Sequence, residues 1–156
     1  MQPMRGFAQM NSIMMTESFI PLFVLSANAV YDILHREILL SSVLAMGVAG
    51  VLYRCCYLSD DITGMLTSLI PGLFLMAMSL ISGNRIGKGD ALLSLCLGEW
   101  LGLADCILVI FLASAGSSAA AAVLWMKKKK NSEIPFVPFL LSGYILQIIL
   151  FNTGSI

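Results

Sequence analysis

The chain has 156 residues, 58% of them hydrophobic and only 12% charged, against roughly a quarter charged in ordinary soluble domains. Nine Lys and Arg balance nine Asp and Glu, and the mean hydropathy is +0.90. These figures exclude a water-soluble globular domain, a disordered chain and a nucleic-acid binder that works by basic excess, and leave an integral membrane protein, all-α, with room for about six helices of some 20 residues.

Six apolar stretches follow in chain order: residues 19–34, 38–58, 62–82, 91–104, 106–126 and 134–151. Most approach the length that crosses about 30 Å of hydrocarbon at about 1.5 Å per residue. The fourth is short, about 21 Å by the same rise. It must extend into its flanks, sit off-centre or line a polar cavity. Within the first stretch, Ser26-Ala27-Asn28-Ala29 looks like a signal-peptide cleavage site. Its basic region is only Arg5, far upstream, so the segment is read as the first transmembrane helix. No repeat or Pro/Gly/Ser-rich linker divides the chain, which predicts one domain.

Cys55, Cys56, Cys96 and Cys106 all fall in apolar stretches, and none forms a C-x-x-C pair. They are read as small hydrophobes, with neither a zinc ligand set nor a disulfide framework. No metal and no cofactor is expected.

Orientation follows from Lys and Arg. The first, third and fifth connections hold Arg36, then Arg85 and Lys88, then Lys127 to Lys130, which is seven of the nine basic residues. Arg5 and Arg54 fall on the other side. The odd connections are therefore predicted to be cytoplasmic and both termini to lie outside. Glu17, Asp60, Asp61, Glu99 and Asp105 fall on or near the outer side.

Ionisable residues at membrane depth are functional candidates by default. Asp32 lies near the inner end of the first helix. Asp90 closes the string Gly87-Lys88-Gly89-Asp90 at the start of the fourth. The two glycines allow positive φ and close backbone approach. The basic-residue count, made without reference to acids, puts Asp32 and Asp90 at the same cytoplasmic face. Two facing carboxylates do not both ionise easily, so one keeps a proton. That meets the requirement of aspartic-type peptide hydrolysis, in which one acts as base on water and the other as acid on the carbonyl. The two roles are not assigned between Asp32 and Asp90 by sequence.

Three segments resemble the type IV prepilin peptidases, membrane aspartic proteases with a G-x-G-D motif. The first is Ala29-Val30-Tyr31-Asp32-Ile33-Leu34-His35-Arg36-Glu37-Ile38. The second is Ile86-Gly87-Lys88-Gly89-Asp90-Ala91-Leu92-Leu93, continued by Leu97-Gly98-Glu99-Trp100-Leu101-Gly102. The third is Glu133-Ile134-Pro135-Phe136-Val137-Pro138-Phe139-Leu140. The resemblance implies that Asp32 and Asp90 are the catalytic pair, supported by Gly87, Lys88 and Gly89. It implies a short tail over 1–15 and a six-helix membrane peptidase domain over 16–156. It also implies a prokaryotic inner-membrane enzyme that cleaves short basic leaders from prepilins or pseudopilins. Longer members carry paired C-x-x-C motifs and also N-methylate the product. This chain has neither those cysteines nor that length, so peptidase activity alone is expected. It resembles the compact members serving tight-adherence (Flp-type) pili. One departure is Leu39, where the family often has proline after the isoleucine.

Other residues carry blander readings. Lys88 is taken as a topology charge, with contact to Asp90 or to an acidic substrate residue as its sharper alternative. Tyr31 is read as an interfacial aromatic, His35 as a solvated loop residue, and Pro135 and Pro138 as the start of the last helix. The small residues 113–120 are read as a packing face, or a dimer face that would make a homo-oligomer. Two competing functions remain: a presenilin-like protease that cuts within membrane spans, and a small transporter that uses the two carboxylates for protons or cations. The partners expected are a prepilin-like substrate and membrane lipid, with no nucleic acid.

Overall fold

A computed structural model describes residues 4–58, 62–82, 87–127 and 135–153, with side chains described at 19–56, 62–82, 87–127 and 135–150. Asp60, Asp61, Arg85, Ile86, Lys128, Lys129, Lys130, Glu133 and Ile134 lie outside the described residues, as do the side chains of Arg5 and Glu17. The chain is all-helical, with no strand among the described residues. The helices are α1 (Met4–His35), α2 (Leu40–Tyr53), α3 (Ile62–Ser68), α4 (Ile70–Ile81), α5 (Lys88–Met126) and α6 (Val137–Thr153), and a π-helical turn, Arg54–Leu58, follows α2. Pro71 falls in the first turn of α4, where its missing N–H costs nothing.

Phe19, Phe23, Phe74, Ile81, Phe111 and Trp125 stand exposed. Asn28, Asp32, Arg54, Ser68, Ser79, Ser94, Glu99 and Gln147 are buried. A large apolar exterior around a polar-studded interior is what a bilayer selects, because lipid rewards apolar contact and polar groups must find partners inside. Ile62–Ile81 and Lys88–Met126 are each long and apolar enough to cross a membrane, and shorter apolar helices cover Phe19–His35, Leu40–Cys56 and Val137–Leu150.

The 39 residues of α5 do not run straight. Gly102 has φ 77° and ψ 180°, an extended conformation of the mirror type that only glycine adopts readily. The Cys106 thiol reaches the Ser94 carbonyl at 3.6 Å. Twelve residues along one helix would separate them by about 18 Å. The chain therefore doubles back, and the arms 88–101 and 103–126 form an antiparallel hairpin. The sequence predicts this division at Asp105; it falls at Gly102. Hydropathy registers the charge, whereas the reversal is made by a backbone conformation.

The first arm is the short fourth stretch, and its length is explained by enclosure. Ala91, Leu93, Ser94, Cys96, Leu97, Gly98, Glu99 and Trp100 are all buried. On one side Trp100 donates its indole N–H to the Met46 carbonyl of α2 at 3.0 Å. On another, Gly72 of α4 lies against the backbone of Leu95, and Gly98 against the Ser68 carbonyl of α3. The second arm packs on α6, which also packs on α1.

Glu99 is buried on this arm, about 14 Å of helix rise beyond Asp90. Ser68 donates its hydroxyl to Glu99 Oε1 at 3.0 Å, and Arg54 Nε donates to the Glu99 carbonyl at 2.6 Å. The residue predicted near the outer side thus ties α3 and the turn after α2 to α5, away from Asp32 and Asp90.

Candidate active site

The site lies where four helix ends meet: the C-terminus of α1 and the N-termini of α2, α5 and α6. On α1, Leu25, Asn28, Ala29 and Asp32 are buried. Their spacing of three to four residues places them on one face. Asp32 therefore continues the inward stripe of its helix, and it is only 8% exposed.

The link from α1 to α2 is tight. Arg36 adopts φ 56°, unusual for a side-chain-bearing residue. Leu39 is the N-cap of α2 and has no side-chain oxygen to offer. Asn28 supplies the missing groups from α1. Its Oδ1 accepts the Leu39 N–H at 3.0 Å, and its Nδ2 donates to Ser42 Oγ and to the Val24 carbonyl, each at 2.9 Å. Asn28 is completely buried and sits one turn before Asp32. The departure at Leu39 acquires a physical consequence here: a proline at that position would have no N–H to give.

Asp32 is also held by α6. The Val137 N–H donates to Asp32 Oδ2 at 3.2 Å, across 105 positions of sequence. The first amides of α6 are then all accounted for. Pro138 has none, and the Phe139 and Leu140 N–H groups donate to the Phe136 carbonyl at 3.0 and 3.1 Å. Val137 is the one left to reach outward. Pro135 and Pro138 do flank the start of the last helix, and the amide between them clamps the first aspartate.

Asp90 stands in the first turn of α5, with Gly87 as the N-cap. Its carboxylate folds back over Gly87, where an added Cβ would lie 2.6 Å from Oδ2. A Cβ on Gly89 would meet Ile38 Cδ1 at 2.7 Å. Positive φ, expected for these glycines, is absent: Gly87 has φ −59° and Gly89 is helical. Close approach, the other expectation, is what both serve. Gly87 gives room to the acid of its own motif, and Gly89 lets the first motif's Ile38 pack against the second motif.

Asp32 and Asp90 come close enough for their charges to act on one another. Lys88 is exposed and makes no salt bridge among the described residues. Tyr31 stacks on His35 with ring centroids 4.4 Å apart, so both are occupied beside the pair. Among the described residues no group of three or more His, Cys, Asp or Glu converges to hold a metal. Asn28 and the Val137 amide are the site groups that sequence reasoning missed. A carboxamide one turn from Asp32 in an apolar helix was a usable signal; a backbone amide leaves none.

An all-helical protein with an apolar exterior and two carboxylates drawn together at one end of its helices is the class that fold and site define. The chain belongs to the type IV leader peptidase family, whose model matches residues 19–126. It is thus a leader-peptidase-like protease. Neither the curated proteins nor the solved structures include a match. The family match covers Asp32 and Asp90 and stops before α6, which nonetheless supplies the clamp on Asp32.

Proposed function

We propose that the protein is a membrane aspartic endopeptidase that removes the short basic leader of prepilin or pseudopilin precursors at the cytoplasmic face, without N-methylating the product. The observation that carries this reading is that Asp32, at the C-terminal end of α1, and Asp90, in the first turn of α5, lie within reach of each other's charge. Two such carboxylates hold one proton between them. The ionised member takes a proton from water, whose oxygen bonds to the scissile carbonyl carbon. The protonated member gives its proton to the carbonyl oxygen. The C–N bond then breaks, and the departing amine takes up a proton.

The setting is a multi-pass protein of a prokaryotic inner membrane. Counting α1, α2, the α3–α4 stretch, the two arms of α5 and α6 gives six crossings. The absence of any C-x-x-C pair argues against the methylating segment of longer relatives.

The test is co-expression with a prepilin-like substrate, read by the size shift on leader loss. Asp32→Asn and Asp90→Asn should each abolish cleavage while membrane insertion is unchanged. Full cleavage by either variant overturns the reading. A transmembrane peptide cut in preference to the prepilin would favour intramembrane proteolysis instead.

A further inference from the structure

We propose that the N-terminus of α6 breaks the symmetry of the pair, so that the Val137 amide holds Asp32 as the carboxylate that activates water and Asp90 carries the shared proton. This rests on the proposed peptidase reading and assigns the roles within it. Val137 is then a positioning residue, acting through Asp32 and not on the substrate.

Asp32 Oδ2 accepts a hydrogen bond from an amide that its own helix leaves unpaired. An N–H can only donate, so it favours the form of Asp32 that only accepts. The amide is also the first of α6, where the helix dipole presents positive charge. Asp90 receives no side-chain hydrogen bond among the described residues. Its carboxylate instead lies against Gly87, which offers no side chain at all. With a donor aimed at Asp32 and none at Asp90 among the described residues, a single shared proton resides on Asp90.

The other described titratable and charged groups at this end do not reverse the bias. Tyr31 and His35 on α1 are engaged with each other. Arg36 and Glu37 in the loop, Lys88 at the start of α5 and Lys127 just past its end are exposed. The first turns of α2 and α6 bring no titratable side chain. In the reaction, a water proton passes to Asp32, the water oxygen bonds to the carbonyl carbon, and the Asp90 proton passes to the carbonyl oxygen. Asp32 ends protonated and hands that proton to the leaving amine as the C–N bond breaks, while one hydroxyl of the diol intermediate returns its proton to Asp90 and the acid carbonyl re-forms.

The experiment combines Val137→Pro with carboxyl-carbon NMR of the full chain in detergent or lipid. Proline removes the N–H, and its ring is tolerated at the first helical position; Val137→Ala keeps the N–H as a control. The aspartate carboxyl carbons are assigned through the backbone. In the wild type near neutral pH, the Asp32 carbon should report the ionised form and the Asp90 carbon the protonated form. Val137→Pro should shrink or invert that difference, lower kcat about 10- to 100-fold with little change in KM, and move the acid limb of the pH profile. Val137→Ala should do none of these. A protonated Asp32 beside an ionised Asp90 in the wild type overturns the assignment, and it does so even if the proline variant does not fold. An unchanged proton distribution in a folded Val137→Pro also overturns it. Either failure leaves the peptidase reading intact as long as Asp32→Asn remains inactive, so the two can be told apart.

Discussion

Gly89 has no side chain because Ile38 occupies the place where one would stand. Gly89→Ala should therefore force Ile38 or α5 to move, at about 1–3 kcal/mol for overpacking a close contact, and should slow cleavage by shifting Asp90 relative to Asp32. Ile38→Val removes the nearest atom, so the double variant should recover part of the lost activity. A double-mutant cycle on cleavage rate checks this, and additive losses would contradict the contact. Glu99 should behave differently. It is an acid buried on the same arm as Asp90 but is bound to Ser68 and remote from the pair. Glu99→Gln keeps an oxygen for the Ser68 hydroxyl, so cleavage by this variant should stay within a few-fold of wild type where Asp90→Asn has none. At this scale the two acids were readable from sequence, because a carboxylate in an apolar stretch is expensive and conspicuous. The reason for the glycines was not: their neighbours, Ile38 and the Asp90 carboxylate, are defined only by the fold. The Val137 amide was invisible for a stronger reason, since every residue but proline has one.

Helices were legible as apolar stretches, and their junctions much less so. α2, α3 and α4 fall within predicted stretches, and the arms of α5 and α6 overrun theirs by two or three residues, because lipid imposes length and apolarity on whole segments. Junctions depend on single backbone conformations. Between the arms of α5 the eye is drawn to Asp105, yet Gly102 makes the reversal at φ 77°. Any other residue there carries a Cβ into a region of φ/ψ that is essentially reserved for glycine. Gly102→Ala should cost on the order of 1–3 kcal/mol, seen as a lower thermal midpoint in detergent. Activity should fall only as far as folded protein is lost, because the turn is remote from Asp32. The α1–α2 junction is the opposite case, held by a side chain. Asn28→Ala would leave the Leu39 N–H without its acceptor, at about 1–3 kcal/mol for a polar group left unmet, while the Ser42 hydroxyl keeps the Leu39 carbonyl.

For the molecule as a whole, the described charges sort by end. Arm 88–101 leaves the site and arm 103–126 returns toward it. Arg36, Lys88 and Lys127 therefore gather on the side of Asp32 and Asp90, while Arg54 lies at the far end of α2. Counting connections in the sequence separates Arg36, Lys88 and Lys127 from Arg54 in the same way, and that separation depends on the hairpin at Gly102. If the side rich in Lys and Arg is cytoplasmic, the site opens to the compartment where unprocessed precursors are made. Native thiols can test this. α2 starts beside the site and runs 14 residues, about 20 Å of rise, before the turn that carries Cys55 and Cys56. Both of these cysteines are exposed, whereas Cys96 and Cys106 are buried. A membrane-impermeant maleimide added to spheroplasts should label the protein from outside, and Cys55→Ser combined with Cys56→Ser should remove the label. Labelling confined to inverted vesicles would turn the molecule over. It would place Asp32 and Asp90 on the outer side, where a leader not yet exported could not reach them.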